Sequence, residues 1–144
     1  MKKTLLSQSV EETQRIGQKI GGKLKGGEII FLSGILGAGK TELIRGIAKG
    51  LGIKSKITSP TFNIMRVYDI PRGGKLHHFD CYRLQKYQDL VELGWEEILD
   101  DPGAITVLEW PECITDKDIT KLPDKKITKA EIKIDNNQRA IILG

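Results

Sequence analysis

Cysteine is scarce in this sequence: Cys81 and Cys113 are the only two in 144 residues. They lie too far apart for a CxxC pair, and a metal site would need more ligands, so free thiols in a reducing compartment are expected. Long apolar runs are missing too. No stretch approaches the ~20 residues of a membrane-spanning helix. Residues 1–6, with Lys2 and Lys3, open like a signal peptide but lack an apolar segment of adequate length. The cytoplasm is the expected location, with no membrane partner. Nor is charge of one sign concentrated. The net charge of +4 and the pI of about 9.0 give a mild bias toward anionic partners, short of a nucleic-acid footprint. Lys121, Lys125, Lys126 and Lys129 read as a solvated face. There is no internal repeat and no low-complexity segment. At 39% hydrophobic and 29% charged residues, the chain suits a single domain over 1–144.

The order of elements is legible from periodicity and punctuation. Ser9 followed by Glu11 and Glu12 predicts a helix start, and Ile16, Ile20 and Leu24 mark one helical face. Gly26 and Gly27 make a turn before the apolar run 28–33, a buried parallel strand. Helical spacing returns over 40–51. The polar turn 58–61 precedes a strand over 62–70, a hairpin turn at 71–74 and a returning strand over 75–80. Helices are predicted over 85–93 and 95–99, and a buried strand over 104–108. Residues 116–122 are ambiguous. Strands over 129–134 and 139–143 form a hairpin around Asp135, Asn136 and Asn137. The sum is an α/β fold, with a parallel core to which antiparallel strands are added.

Between the first apolar strand and the helix after it, Gly34-Ile35-Leu36-Gly37-Ala38-Gly39-Lys40-Thr41 matches GxxxxGK[ST] in full. Strand before and helix after are the context this P-loop requires. Gly34, Gly37 and Gly39 let successive backbone amides turn toward phosphate oxygens, with Leu36 and Ala38 contributing through their N–H groups. The helix then presents its positive end to the phosphates. Lys40 supplies a point charge for the β- and γ-phosphates, and Thr41 offers its hydroxyl to magnesium. Hydrolysis needs a further acid. Two carboxylates end strands downstream, Asp80 and Glu109, and either is suited to hold the ion, directly or through water, or to accept a proton from attacking water.

The P-loop, Ser59-Pro60-Thr61-Phe62, His78-Phe79-Asp80-Cys81-Tyr82-Arg83-Leu84 and Glu109-Trp110-Pro111-Glu112, in this order and spacing, resemble the TsaE family, bacterial ATPases of tRNA threonylcarbamoyladenosine biosynthesis. Arg139 before Ala140-Ile141-Ile142-Leu143 resembles that family's closing strand. The resemblance implies a P-loop NTPase three-layer fold with a mixed sheet. It implies a weak, magnesium-dependent ATPase that supports turnover of the TsaB–TsaD transfer complex, which modifies the adenosine beside the anticodon of ANN-decoding tRNAs. Contact with tRNA would be indirect or weak. By the same resemblance Thr41 and Glu109 bind magnesium and Asp80 helps hydrolysis. Ser59 and Thr61 lie in a nucleotide-responsive segment, Trp110 sits beside the nucleotide, and Gln8, Ser9 and Val10 approach the adenine. Two positions depart from the family: Ile35 stands where an acid is usual, and Cys81 where leucine is commoner.

Plainer readings stand beside these. His77 and His78, adjacent on a strand, should face opposite sides, one of them at the surface. Tyr82 and Trp110 are expected in core or interface packing, Arg83 in a structural ion pair, and Trp95 as an anchor of its short helix. No arginine is placed by the sequence to complete the phosphate site, which predicts slow hydrolysis by the isolated chain. A small P-loop kinase is one rival, although no arginine-rich lid segment is present. A nucleotide-dependent interaction module without catalysis is the other.

Overall fold

The architecture follows from one strand that is apolar on both sides. In the computed structural model, which describes residues 2–35, 37–58, 64–122 and 126–144, strand β2 (Ile29–Ser33) runs through the middle of a seven-stranded sheet. Ile29, Ile30, Phe31 and Leu32 are all buried. Each such side chain contributes on the order of 1.5–3 kcal/mol by leaving water. Alternation sends them to opposite faces. Ile30 and Leu32 join a core with Leu43, Ile44 and Ile47, whereas Ile29 and Phe31 join a second core with Phe79, Trp95 and Leu108. The sheet is therefore covered on both faces, giving three layers.

The remaining strands are β1 (Lys3–Ser7), β3 (Met65–Asp69), β4 (Lys75–Asp80), β5 (Ala104–Glu109), β6 (Ile127–Asp135) and β7 (Gln138–Leu143), in the spatial order β1-β7-β6-β2-β5-β4-β3. β6, β2, β5 and β4 are mutually parallel, and β1, β7 and β3 add antiparallel edges. The expected mixed sheet with a parallel core is thus observed. Strand β1 is not anticipated by the sequence pattern. Its side chains are mostly exposed, and it is held by backbone pairing with β7 rather than by an apolar face.

Helices α1 (Val10–Gly22) and α2 (Lys40–Gly50) cover one face; α3 (Tyr87–Val91), α4 (Trp95–Leu99) and α5 (Asp116–Thr120) are short. Ser9 caps α1 as expected, its Oγ accepting from the Glu12 amide at 3.0 Å. The helix expected over 85–93 is reduced to α3 because the Asp89 carboxylate accepts the Gln85 and Lys86 amides and starts the helix later. The ambiguous segment after 115 is helical, opened by a Thr115–Asp118 capping box. Trp95 is fully buried, edge-on to Phe79 at 5.7 Å, and donates from Nε1 to the Tyr87 hydroxyl at 2.9 Å.

The contact between α1 and α2 is made of backbone. A methyl group built on Gly17 would collide with the Leu43 carbonyl oxygen, and one on Gly21 with that of Ile47. Reciprocally, methyl groups on Gly46 and Gly50 would strike the carbonyls of Gln14 and Gln18. The pairing of 14 with 46 and 18 with 50 makes the helices parallel, so both begin at the same end of the sheet. Replacing Gly21 or Gly46 by alanine should force the helices apart and destabilise the chain by about 1–3 kcal/mol, the usual range for overpacking. Urea unfolding would measure it, and an unchanged midpoint would contradict backbone contact.

Candidate nucleotide site

The loop after β2 turns on glycines at positive φ: Gly37 at 80° and Gly39 at 106°. Side chains other than glycine rarely adopt these angles. Among the described residues no side chain caps the first amides of α2. Its N-terminus is thus presented to the cleft, where its dipole favours an anion. The Ala38 amide donates within the loop to the Ile35 carbonyl at 3.1 Å. Leu36, Ser59 and Thr61, all singled out from the sequence, lie outside the described residues.

Lys40 is buried, at 5% exposure. Its Nζ donates to the Gly34 carbonyl and rests 3.4 Å from the centroid of the Trp110 ring. A desolvated contact of this kind contributes about 2 kcal/mol. Burial lowers the Lys40 pKa below the ordinary lysine value, and the charges of Glu109, Asp80 and Glu112 oppose that fall. Trp110 is aimed by its own backbone. It follows Glu109 directly in the left-handed region, φ 56°, and its amide donates to the Leu32 carbonyl at 3.2 Å. The edge of Tyr82 packs against its ring at 5.0 Å.

The two acids meet because β4 and β5 are parallel neighbours in which Asp80 pairs with Glu109. Both therefore project from the same face at the same end of the sheet. With Gly37, Gly39, Lys40, Thr41, Glu42 and Trp110 they line a cleft of about 340 Å³. Glu109 is 4% exposed, and its Oε2 lies 2.7 Å from Nε2 of His78, itself fully buried. Asp80 accepts from the Tyr82 amide at 3.1 Å. Burial pushes the Asp80 carboxyl above the usual range, the Tyr82 amide pulls the other way, and the Glu109 charge adds to the rise.

A second cleft, also about 340 Å³, adjoins the other side of the loop. Gln8 and Val10 line it, together with Ser7, Thr13, Asn137 and Arg139. The approach of the N-terminal segment to the loop depends on Ser7, whose Oγ donates to the Ser9 carbonyl at 2.8 Å and meets Thr13 Oγ1 at 2.7 Å. Arg139 donates from Nε to the Ala38 carbonyl at 3.1 Å, across 101 positions of sequence. An arginine thus braces the loop from the side of this second cleft, and it does not line the cleft that holds Lys40, Asp80 and Glu109. Only the β6–β7 hairpin brings it there, and no local motif announces that.

Two other expectations are corrected. His77 and His78 are both buried, because each face of β4 is covered by helices. Arg83 is exposed and pairs with no carboxylate among the described residues. Tyr82, expected in core or interface packing, lies outside the core at 64% exposure and packs on Trp110. Cys81 and Cys113 are free, as expected, and lie buried in the same apolar cluster.

A strand–loop–helix cradle at the head of a parallel sheet, with a buried lysine and two strand-end acids around it, defines a protein of the P-loop nucleotide-binding class. Residues 7–141 match the family described as Threonylcarbamoyl adenosine biosynthesis protein TsaE. A protein of Treponema pallidum, named tRNA threonylcarbamoyladenosine biosynthesis protein TsaE, is 38% identical over 125 residues, spanning 85% of this chain and 86% of the relative. One of the same name from Rickettsia prowazekii is 36% identical over 133 residues, 91% of this chain and 87% of the relative. The crystal structure of a Bacillus YdiB superposes with a TM-score of 0.71 at 28% identity, over 99% of this chain and 84% of that one. The chain belongs to the TsaE family, proteins of tRNA threonylcarbamoyladenosine biosynthesis.

The raised Asp80 pKa carries a sign. A carboxyl whose pKa is higher in the folded than in the unfolded chain binds more protons when folded. Its contribution is then greatest at low pH and falls as pH rises from the ordinary aspartate range through the raised value. Asp80→Asn keeps an acceptor for the Tyr82 amide and removes the charge. This variant should melt at a higher temperature than the parent at neutral pH, with the gap closing below the ordinary aspartate range. Thermal melts across pH would measure the gap, and one independent of pH would contradict the assigned cause.

Proposed function

We propose that this chain, as a single domain over 1–144, is a magnesium-dependent ATPase of the threonylcarbamoyladenosine pathway. The observation that carries the reading is the pairing of Asp80 with Glu109 at adjacent strand ends, facing Lys40 and Thr41 across one cleft. The donor set fits magnesium: a hydroxyl and a carboxylate are hard oxygen ligands, and phosphate oxygens complete such a shell. Glu109 Oε2 is engaged by His78, which leaves Oε1 for an ion. Magnesium, when bound, would neutralise charge on the phosphate oxygens.

The residues divide the work. The amides of Leu36, Gly37, Ala38 and Gly39 cradle the phosphates. Lys40 exchanges the Gly34 carbonyl for phosphate oxygens and steadies charge on the transferring phosphoryl group. Thr41 and Glu109 hold the ion. Asp80, whose basicity burial raises, orients water and takes up its proton. Trp110 walls the phosphate side of the cleft, and Gln8 and Val10 the base side. Ser59 and Thr61 respond to nucleotide state. Cytoplasmic TsaB and TsaD are the partners whose transfer cycle this hydrolysis supports, with tRNA touched indirectly or weakly.

Lys40→Ala should abolish nucleotide binding. Glu109→Ala should weaken magnesium-dependent hydrolysis far more than nucleotide binding. Calorimetry and phosphate release, both without any acceptor, separate these effects. Equal loss of both in folded Glu109→Ala would remove Glu109 from the metal site. With a nucleoside added to the assay, label appearing on it and none released as phosphate would favour a kinase.

The pathway assignment has its own test. Depleting the protein in its host should lower threonylcarbamoyladenosine in bulk tRNA, read by nucleoside mass spectrometry. Undiminished modification over many generations would refute it.

A further inference from the structure

His78 is the most deeply buried polar residue beside the cleft, yet it lines no part of it. It sits two residues before Asp80 on β4, on the same face, one step diagonal from Glu109 on β5. Its Nε2 is 2.7 Å from Glu109 Oε2, with side-chain exposures of 0% and 5%. Its Nδ1 is buried and has no hydrogen-bond partner among the described residues. An imidazole proton is therefore best accommodated on Nε2, where a carboxylate accepts it.

We infer that His78 is a positioning residue for Glu109: it fixes the carboxylate by one oxygen and leaves the other to a divalent cation. This rests on the reading of Glu109 as a metal ligand. The choice of residue type has a physical reason. A buried carboxylate without a partner is costly. A lysine or arginine at this position would satisfy it but cancel the charge that an ion needs. A single imidazole N–H satisfies one oxygen and orients the other. Outer partners of this kind set both rotamer and basicity of a ligand.

The probe is Mn2+ titrated into the full chain in the presence of ADP and followed by electron paramagnetic resonance. It needs no turnover. Glutamine carries its amide nitrogen about as far from the backbone as Nε2, whereas asparagine carries it where Nδ1 stands. His78→Gln should therefore retain most of the Mn2+ affinity. His78→Asn should lose about tenfold, the lower end for loss of an outer partner. ADP affinity without metal should stay the same in both, and metal-free melts verify that both are folded. In a Glu109→Gln background, His78→Asn should cause no further loss. Equal Mn2+ affinity of the Gln and Asn variants, or a further loss in that background, overturns the role of His78. If Glu109→Gln alone leaves Mn2+ binding intact, the metal reading of Glu109 falls and the inference with it.

Discussion

A lysine ammonium taken out of water must be compensated locally, and the site is arranged around that requirement. Lys40 is almost completely buried at the first turn of α2. Its charge is met by a carbonyl from its own loop, by an aromatic face and by the fields of three carboxylates. None of these partners neutralises it by direct contact. Lys40 is thus held in place while its charge remains available to a phosphate.

The sheet supplies the compensating carboxylates through register. Parallel strands that end together put equivalent positions side by side, so one alignment of β4 with β5 brings Asp80 and Glu109 to the same edge. The same alignment sets the Glu109 charge close enough to add to the rise in the Asp80 pKa. His78 hydrogen-bonds Glu109, and the Tyr82 amide donates to Asp80. A hydrogen-bond partner at each acid lets two carboxylates coexist beside a lysine in a confined space.

Much of this was legible in the sequence, for identifiable reasons. The loop, β2 and α2 announce themselves because glycine spacing and apolar runs are local signals. Glu109 was legible because it closes a continuous apolar strand. Edge strand β1 was not, since Lys3, Thr4 and Leu5 owe their conformation to β7 at the far end of the chain. Arg139 reaches the loop by the same long-range route. The burial of both His77 and His78 follows from a sheet covered on both faces, which adjacent residues do not reveal. The left-handed backbone of Trp110 likewise depends on where β5 stops, and a tryptophan is not a residue that advertises that conformation.

The glycine contact between α1 and α2 sets a fixed distance. Because Gly17 and Gly21 lie against the backbone of α2, and Gly46 and Gly50 against that of α1, at those four positions there is no side chain to compress or rearrange. The two helices are parallel, and their leading ends line one cleft from two sides: one follows Gln8 and Ser9, the other begins at Lys40. Those walls are therefore coupled like the jaws of a caliper locked at one setting. A molecule that reached from the glycine-rich loop to the N-terminal segment would be measured for length, and one too short to span the gap would leave one jaw untouched.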